Sequence, residues 1–319
     1  MDLGRRLRAP ARACRPDRRL RQPRRRAGTP VHVRRLPGRE ARDRARSRTR
    51  PRSHAGAGSR GSSGRRAADL HRDARAPTDR DRARARPPVL GAHVKIAVAH
   101  LYPELLNIYA DRGNIAVLTR RAEQRGHTLE IVGVGVSSPL PAADLYYVGG
   151  GQDREQALVA PDLAAHGDAL RAAVDAGAAL LAVCGGYQLL GRGYRGRDGS
   201  WMPGAGLFPL ETHAGTRRMI GDILLDCDVA GLPGTLAGFE NHAGRTTLDH
   251  GATPLGRVVA GFGNDGESGF EGCRVGRAIG TYLHGPLLPR NPLLADWLLE
   301  QALAHATGEP PEPLSPLPD

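Results

Sequence analysis

The twelve residues Leu180-Leu-Ala-Val-Cys-Gly-Gly-Tyr-Gln-Leu-Leu-Gly191 leave this chain few folds to choose from. A short, wholly apolar run reads as a strand buried on both faces, and such strands belong to parallel sheets covered by helices. Here the strand meets a cysteine, two glycines and a new helix with no linker between them. That is the pattern of a nucleophile elbow, a tight strand-to-helix turn that exposes one side chain at the carboxyl edge of a parallel sheet. A cysteine that only packs needs no glycines and no junction. The pattern therefore favours Cys184 as a nucleophile, its thiol aided by the helix N-terminus. Cys14, Cys227 and Cys273 sit at no such junction and read as structural.

The flanking sequence repeats the α/β alternation. Val94–His100, Thr128–Val134, Asp144–Val148 and Ala178–Val183 read as strands. Helical spacing runs from Pro103 to Gly126, interrupted at Asp111-Arg-Gly113, and again from Leu163 to Gly177 with Leu170, Ala173 and Val174 inward. Strands alternating with helices predict a mostly parallel sheet covered on both faces. From about Gly215 the texture turns to shorter strands: Ile220–Leu225, Gly238–His242, Arg257–Phe262, Cys273–Gly276 and Ala278–Leu283. These are expected to extend the same sheet in a more antiparallel manner. Asn291-Pro292 opens a last helix with Leu294, Trp297 and Leu298 on one face, and Gly308 ends it.

Charge divides the chain. Residues 1–93 hold 29 Arg, no Lys, 8 Asp+Glu and no aromatic residue, a net of +21, so the whole-chain +13 leaves 13 − 21 = −8 for residues 94–319. A charge-rich segment without aromatics buries too little apolar surface to offset its ordering entropy, and residues 1–93 are expected to be disordered. An Arg-, Ala-, Pro- and Gly-rich run without Lys is also what a start codon assigned too early in GC-rich sequence produces, with Val94 as the true first residue. The competing reading is a basic arm for nucleic acid. Against a nucleic-acid role for the whole protein stands the acidic balance of the remainder, which repels phosphate. Residues 94–308 form the expected domain, and 309–319 a Pro-rich tail. No apolar run is long enough to span a membrane, no secretion signal is present, and the sparse cysteines lack paired metal spacing. A cytoplasmic location is expected.

A thiol nucleophile needs a base. His284, in Gly280-Thr-Tyr-Leu-His-Gly-Pro286, follows an apolar strand whose end can converge with that of the Cys184 strand. His242, in Phe239-Glu-Asn-His-Ala-Gly244, is its competitor. Gly149-Gly-Gly-Gln-Asp-Arg-Glu155 lies at a further strand end. It could cradle phosphate, but no Gly-Lys-Ser/Thr follows and Lys95 is the sole lysine. An oxyanion hole facing Cys184 is the better use of its N–H groups.

In this order, Gly-Gly-Gly-x-Asp-Arg-Glu-Gln, Cys-Gly-Gly-Tyr-Gln, Gly-Phe-Glu-Asn-His and Gly-Thr-Tyr-x-His-Gly-Pro resemble the class I glutamine amidotransferases. Within them they resemble the cobyric-acid-synthase-like branch and the GatD-type glutaminase subunits of lipid II isoglutaminyl synthase. The resemblance spans about Val94 to Gly308 and implies a flavodoxin-like, three-layer α/β fold with a mostly parallel central sheet. It implies hydrolysis of L-glutamine to glutamate and ammonia with no cofactor or metal in this chain. Ammonia would pass to a Mur-ligase-like synthetase subunit, MurT, which uses ATP and Mg to amidate the D-glutamate α-carboxylate of lipid II. Residue by residue, it implies Cys184 as nucleophile and His284 as base, with oxyanion donors at Gly150, Gly151 and Gly185. Gln188 would lie at the glutamine pocket and Arg218 would clamp the substrate carboxylate, with Arg217 the neighbouring ambiguity. Many members carry His-Pro-Glu where this chain reads His284-Gly-Pro286. A third carboxylate would then come from Asp111, from Glu240 or, as favoured, from the partner. The alternatives are a glutaminase serving corrinoid amidation and a nucleic-acid binder on a degenerate amidotransferase fold.

Overall fold

Three of the central strands are buried along their whole length: β3 (Leu145–Val148), β4 (Ala179–Val183) and β12 (Ala278–Thr281). They lie beside β1 (Lys95–Leu101) and β2 (Thr128–Val134) in the order β11-β12-β4-β3-β1-β2, where β11 is Cys273–Val275. Every pairing in this sheet is parallel except β11 with β12. The computed structural model describes residues 92–108, 112–229 and 232–317. The Arg-rich segment, Cys14 and Asp111 lie outside the described residues.

Chain order fixes the layers. From β1 the chain passes through helix α1 (Arg112–Glu123) to β2 on one side, then returns past β1 to β3 and proceeds through α2 (Asp153–Ala165) and α3 (Gly167–Asp175) to β4 on the other. Crossovers between parallel strands are right-handed, so reversing the direction of travel places α1 and the α2–α3 pair on opposite faces. The order β2-β1-β3-β4-β12 is the flavodoxin-like 2-1-3-4-5 order, in which ligands bind beyond the carboxyl ends of the strands. The structure is thus the expected three-layer α/β fold. Helix α6 (Pro292–Thr307) packs with α1 and against β1 and β4, with Leu294, Trp297 and Leu298 buried, and stops at Gly308 in the left-handed conformation (φ 73°). The proline-rich end is tied down: Leu314 N–H donates to Glu300 Oε1 at 2.9 Å and Ser315 O accepts from Arg125 Nε at 2.9 Å.

Two expectations need correction. The strands after Gly215 do not all extend the first sheet; only β11 and β12 do. The others join β5 (Gly193–Arg195) and β6 (Trp201–Pro203) in a second six-stranded sheet that also holds β9 (Gly256–Ala260) and β10 (Phe270–Glu271), in the order β10-β9-β7-β5-β6 with β8 paired to β7. Its spine is the hairpin of β7 (Leu210–Val229, 20 residues) and β8 (Leu232–Leu248, 17 residues), which satisfies most of its ladder internally. The helical spacing read from Pro103 does not give a helix there, since the described residues up to Leu106 form turns and the helix begins at Arg112.

Candidate active site

Strand β4 ends at Val183, and Cys184 turns the chain directly into helix α4 (Gly185–Leu189). The turn is strained: Cys184 has φ 48° and ψ −103°, a region that side-chain-bearing residues avoid. Both glycines after it are required by the approach of the loop that follows β3. A Cβ on Gly186 would lie 2.8 Å from the carbonyl oxygens of Val148 and Gly149, and one on Gly185 would lie 2.8 Å from the Gly151 nitrogen. Gly186 N–H donates to Gly149 O at 3.1 Å, which locks loop and elbow together. The expected oxyanion donors Gly151 and Gly185 therefore stand against each other beside Cys184. Gly150 is held through its carbonyl, which accepts from Ile108 N–H at 3.1 Å.

His284 comes to the same edge. Its strand β12 is the parallel neighbour of β4, with Thr281 opposite Val183, and Cys184 N–H donates to Thr281 O at 2.8 Å. His284 exchanges two backbone hydrogen bonds with Phe239 in β8, so the second sheet fixes its position. Burial, then the nearby His242 and Arg218, hold its imidazole down to about 3, and it is neutral at physiological pH.

A cavity of about 500 Å3 opens at this edge, a usual size for a small-molecule site. Cys184, Gln188, Arg218, Asn241 and His242 line it together with Gly151. His284 stands behind this lining, 1 % exposed. Gln188 Nε2 donates to Tyr282 Oη at 3.1 Å, and that hydroxyl pairs with Thr246 Oγ1 at 2.6 Å. Tyr282 carries His242 stacked on its ring, with centroids 3.5 Å apart and planes 4° from parallel. Arg218 lines the cavity, whereas Arg217 lies over the Phe262 ring at 5.8 Å.

Glu240, a candidate for the third carboxylate, is tied to the backbone of the second sheet. Its oxygens accept from Phe262 N–H at 2.7 Å and Gly263 N–H at 3.0 Å, and the nearest imidazole it serves is His242, 3.6 Å away. Cys227 and Cys273 are buried outside the cavity lining, and burial pushes the Cys273 thiol up to about 12. Sequence reasoning gave no role to Asp153, Gln156, Asn241 or Tyr194 among the lining residues, although Asp153 and Gln156 stand in the noted Gly-Gly-Gly-x-Asp-Arg-Glu-Gln motif. Asn241 lay within a noted motif, next to His242. Tyr194 carried no signal.

Fold and elbow together define a class: α/β proteins that present a thiol on a strained strand-to-helix turn at the carboxyl edge of a parallel sheet. Comparison with known proteins narrows it, and the chain belongs to the CobB/CobQ-like glutamine amidotransferase domain family, whose model matches residues 97–292. The chain is 39% identical over 221 residues to the lipid II isoglutaminyl synthase (glutamine-hydrolyzing) subunit GatD of Staphylococcus aureus, covering 69% of this chain and 88% of that one. It is 39% identical over 218 residues to the subunit of the same name from Streptococcus pneumoniae, covering 67% and 83%. Cobyric acid synthase of Pelotomaculum thermopropionicum is 32% identical over 209 residues, covering 61% of this chain and 38% of the synthase.

Proposed function

We propose that this chain is the glutaminase subunit of a lipid II isoglutaminyl synthase. The observation that carries the reading is the match to two such subunits at 39% identity over more than four fifths of their length. In the mechanism, the Cys184 thiol gives its proton to His284, and the sulfur attacks the carboxamide carbon of glutamine. The oxygen takes the negative charge and is held by N–H groups of the Gly151 and Gly185 region. Collapse expels ammonia, which takes the proton from His284, and leaves a thioester on Cys184. Water then attacks the thioester, His284 accepts the water proton, and glutamate departs as the thiol is restored. Gln188, fixed by Tyr282, borders the pocket, and Arg218 clamps the substrate carboxylate.

Ammonia would be used by a Mur-ligase-like synthetase partner of the MurT kind, which binds ATP and Mg and amidates the D-glutamate α-carboxylate of lipid II. A corrinoid acceptor is the weaker alternative, since the cobyric acid synthase match is lower in identity and covers 38% of that protein. An acid reaching in from the partner is the favoured source of the orienting charge. The full chain alone should release glutamate slowly, and adding the partner should raise the rate roughly tenfold or more. Glutamate release measured with and without the co-purified synthetase tests this, and a rate indifferent to the partner would show that the Cys184–His284 pair is sufficient.

A further inference from the structure

Behind the cavity the chain passes from the second sheet to the first through a single residue. Glu271 ends β10, Cys273 begins β11, and Gly272 between them takes φ 66°. A Cβ on Gly272 would lie 2.6 Å from Gly280 O and 2.7 Å from the Leu255 side chain, so the crossing requires glycine. Asn264 brackets it, accepting from Gly272 N–H at 2.9 Å through Oδ1 and donating to Gly272 O at 3.0 Å through Nδ2.

The bend cuts a ladder short. Strands β11 and β12 pair only from Cys273 opposite Gly280 to Val275 opposite Ala278. One and two steps further, Thr281 would have faced Gly272 and Tyr282 would have faced Glu271. There the Glu271 side chain replaces the missing backbone partners. Its Oε1 accepts from Tyr282 N–H at 2.6 Å, and its Oε2 pairs with Thr281 Oγ1 at 2.9 Å. Thr281 Oγ1 in turn accepts from Leu283 N–H at 3.1 Å. One fully buried carboxyl thus satisfies, directly and through a hydroxyl, two successive N–H groups that have left the sheet.

Both members of the candidate catalytic pair depend on this segment. Cys184 N–H, at the strained turn, donates to Thr281 O at 2.8 Å, and His284 follows Leu283 directly. Glu271 itself lies outside the cavity lining. Packing alone does not account for an acid here, because a buried carboxyl costs more than an apolar side chain of its size. Burial raises it to about 8 and keeps it protonated at neutral pH. What the acid adds over a methionine is the pair of hydrogen bonds.

We propose that Glu271 is a positioning residue for the Cys184–His284 pair, its carboxyl setting the Thr281–Leu283 segment that anchors the Cys184 backbone and leads into His284. The reaction it serves rests on the glutaminase reading, whereas the placement of the thiol can be followed without turnover.

Glu271→Met keeps the volume and removes both hydrogen bonds; Thr281→Val keeps the shape and removes the hydroxyl. In the full chain with its synthetase partner, well below the unfolding temperature, each should lower kcat for glutamine about 10- to 100-fold with KM within about twofold, the pattern of misplaced reacting groups. The double variant should lose no more than the larger single loss, since both changes cut one tie. Glu271→Gln, neutral like the buried acid and able to make both bonds, should recover most of the kcat lost in Glu271→Met, and Thr281→Ser most of that lost in Thr281→Val. Alkylation of Cys184 by iodoacetamide, followed on its peptide by mass spectrometry, should slow in the same order. If Glu271→Met does not fold, the Thr281 variants carry the comparison. Wild-type kcat and alkylation in a folded Glu271→Met or Thr281→Val, a loss confined to KM, or additive losses in the double variant overturns the proposal while the glutaminase reading stands. A wild type that releases no glutamate overturns the glutaminase reading, and the alkylation rates then decide the positioning role, equal rates in wild type and variants overturning it.

Discussion

At Cys184 the chain holds a side-chain-bearing residue at φ 48°, ψ −103°, a conformation with a cost of roughly 1–3 kcal/mol elsewhere compensated by packing. Cys184→Ala keeps the strain and removes the thiol; Cys184→Gly removes both. Both variants should abolish glutamine hydrolysis, and the glycine variant should unfold at higher denaturant than the alanine variant by about 1 kcal/mol. Equal stability would show that the turn is unstrained. Cys273→Ala and Cys227→Ala should leave the rate nearly unchanged. His284 is neutral well below its ordinary range because burial excludes its charged form. The expected profile of kcat/KM therefore has no acid limb near pH 6.5, and His284→Ala should lose about two to four decades, far more than His242→Ala. A limb at pH 6–7 that disappears in His284→Gln would show that the ring is solvated in the working enzyme. Cys184 and His284 were legible in the sequence because each stands at the end of an apolar strand beside glycine. Tyr194 was not legible as a pocket residue, since what brings it to the cavity is the packing of separate elements, whereas Asp153 stood in the noted glycine-loop motif without a role of its own.

The elements that hold His284 in place converge on Asn291. Sequence spacing makes Asn291 a helix cap, yet its side chain makes no cap bond. Its Nδ2 donates to Ala237 O at 2.8 Å and Leu287 O at 2.7 Å, and its Oδ1 accepts from Ala237 N–H at 2.9 Å. One buried amide thus joins β8, two residues before the Phe239–His284 bridge, to the short helix α5 (Leu287–Arg290). Asn291→Ala strands buried backbone groups and should cost about 2–3 kcal/mol of stability by chemical denaturation, with a fall in kcat larger than any change in KM. Unchanged kcat with lowered stability would separate the tie from the catalytic geometry. The buried strands were readable because an unbroken apolar run has one good use in an α/β chain. The helix read over Leu163–Gly177 is α3 with the last turn of α2, and most of α2 went unread because Pro161 lies inside it and interrupts the apolar spacing. The second sheet escaped for a different reason: Leu210–Val229 mixes Gly, Arg and apolar residues without clean alternation, and its extended state comes from pairing with β8.

At the scale of the whole molecule, buried histidines and one buried carboxyl set how stability follows pH, His242 being lowered by burial in the same direction as His100 and His284. His100, at the end of β1, is held down to about 4, by burial first and then by Arg112; His284 is held down to about 3, again by burial first. Each is neutral when folded and has an ordinary value near 6.5 when unfolded, so its contribution is full above pH 6.5 and is lost as pH falls from there. Glu271 behaves in the opposite way. Fully buried beneath the end of β12, it accepts from Tyr282 N–H at 2.6 Å and pairs with Thr281 Oγ1 at 2.9 Å, and burial raises its carboxyl from 4.5 to about 8. It stays protonated when folded and ionises when unfolded, so its contribution is full below about pH 4.5 and is lost as pH rises toward 8. Between about pH 4.5 and 6.5 the buried histidines outweigh one carboxyl, and above pH 6.5 the carboxyl dominates. Stability should therefore peak near pH 6.5. Glutamine at position 271 reproduces the protonated acid, its oxygen accepting from Tyr282 N–H and its amide donating to Thr281 Oγ1. Glu271→Gln should remove the decline between pH 6.5 and 8, a difference of roughly 2 kcal/mol or about 5 °C in Tm. Thermal unfolding of both proteins across that interval decides it, and parallel declines would mean that the carboxyl is ionised in the folded chain.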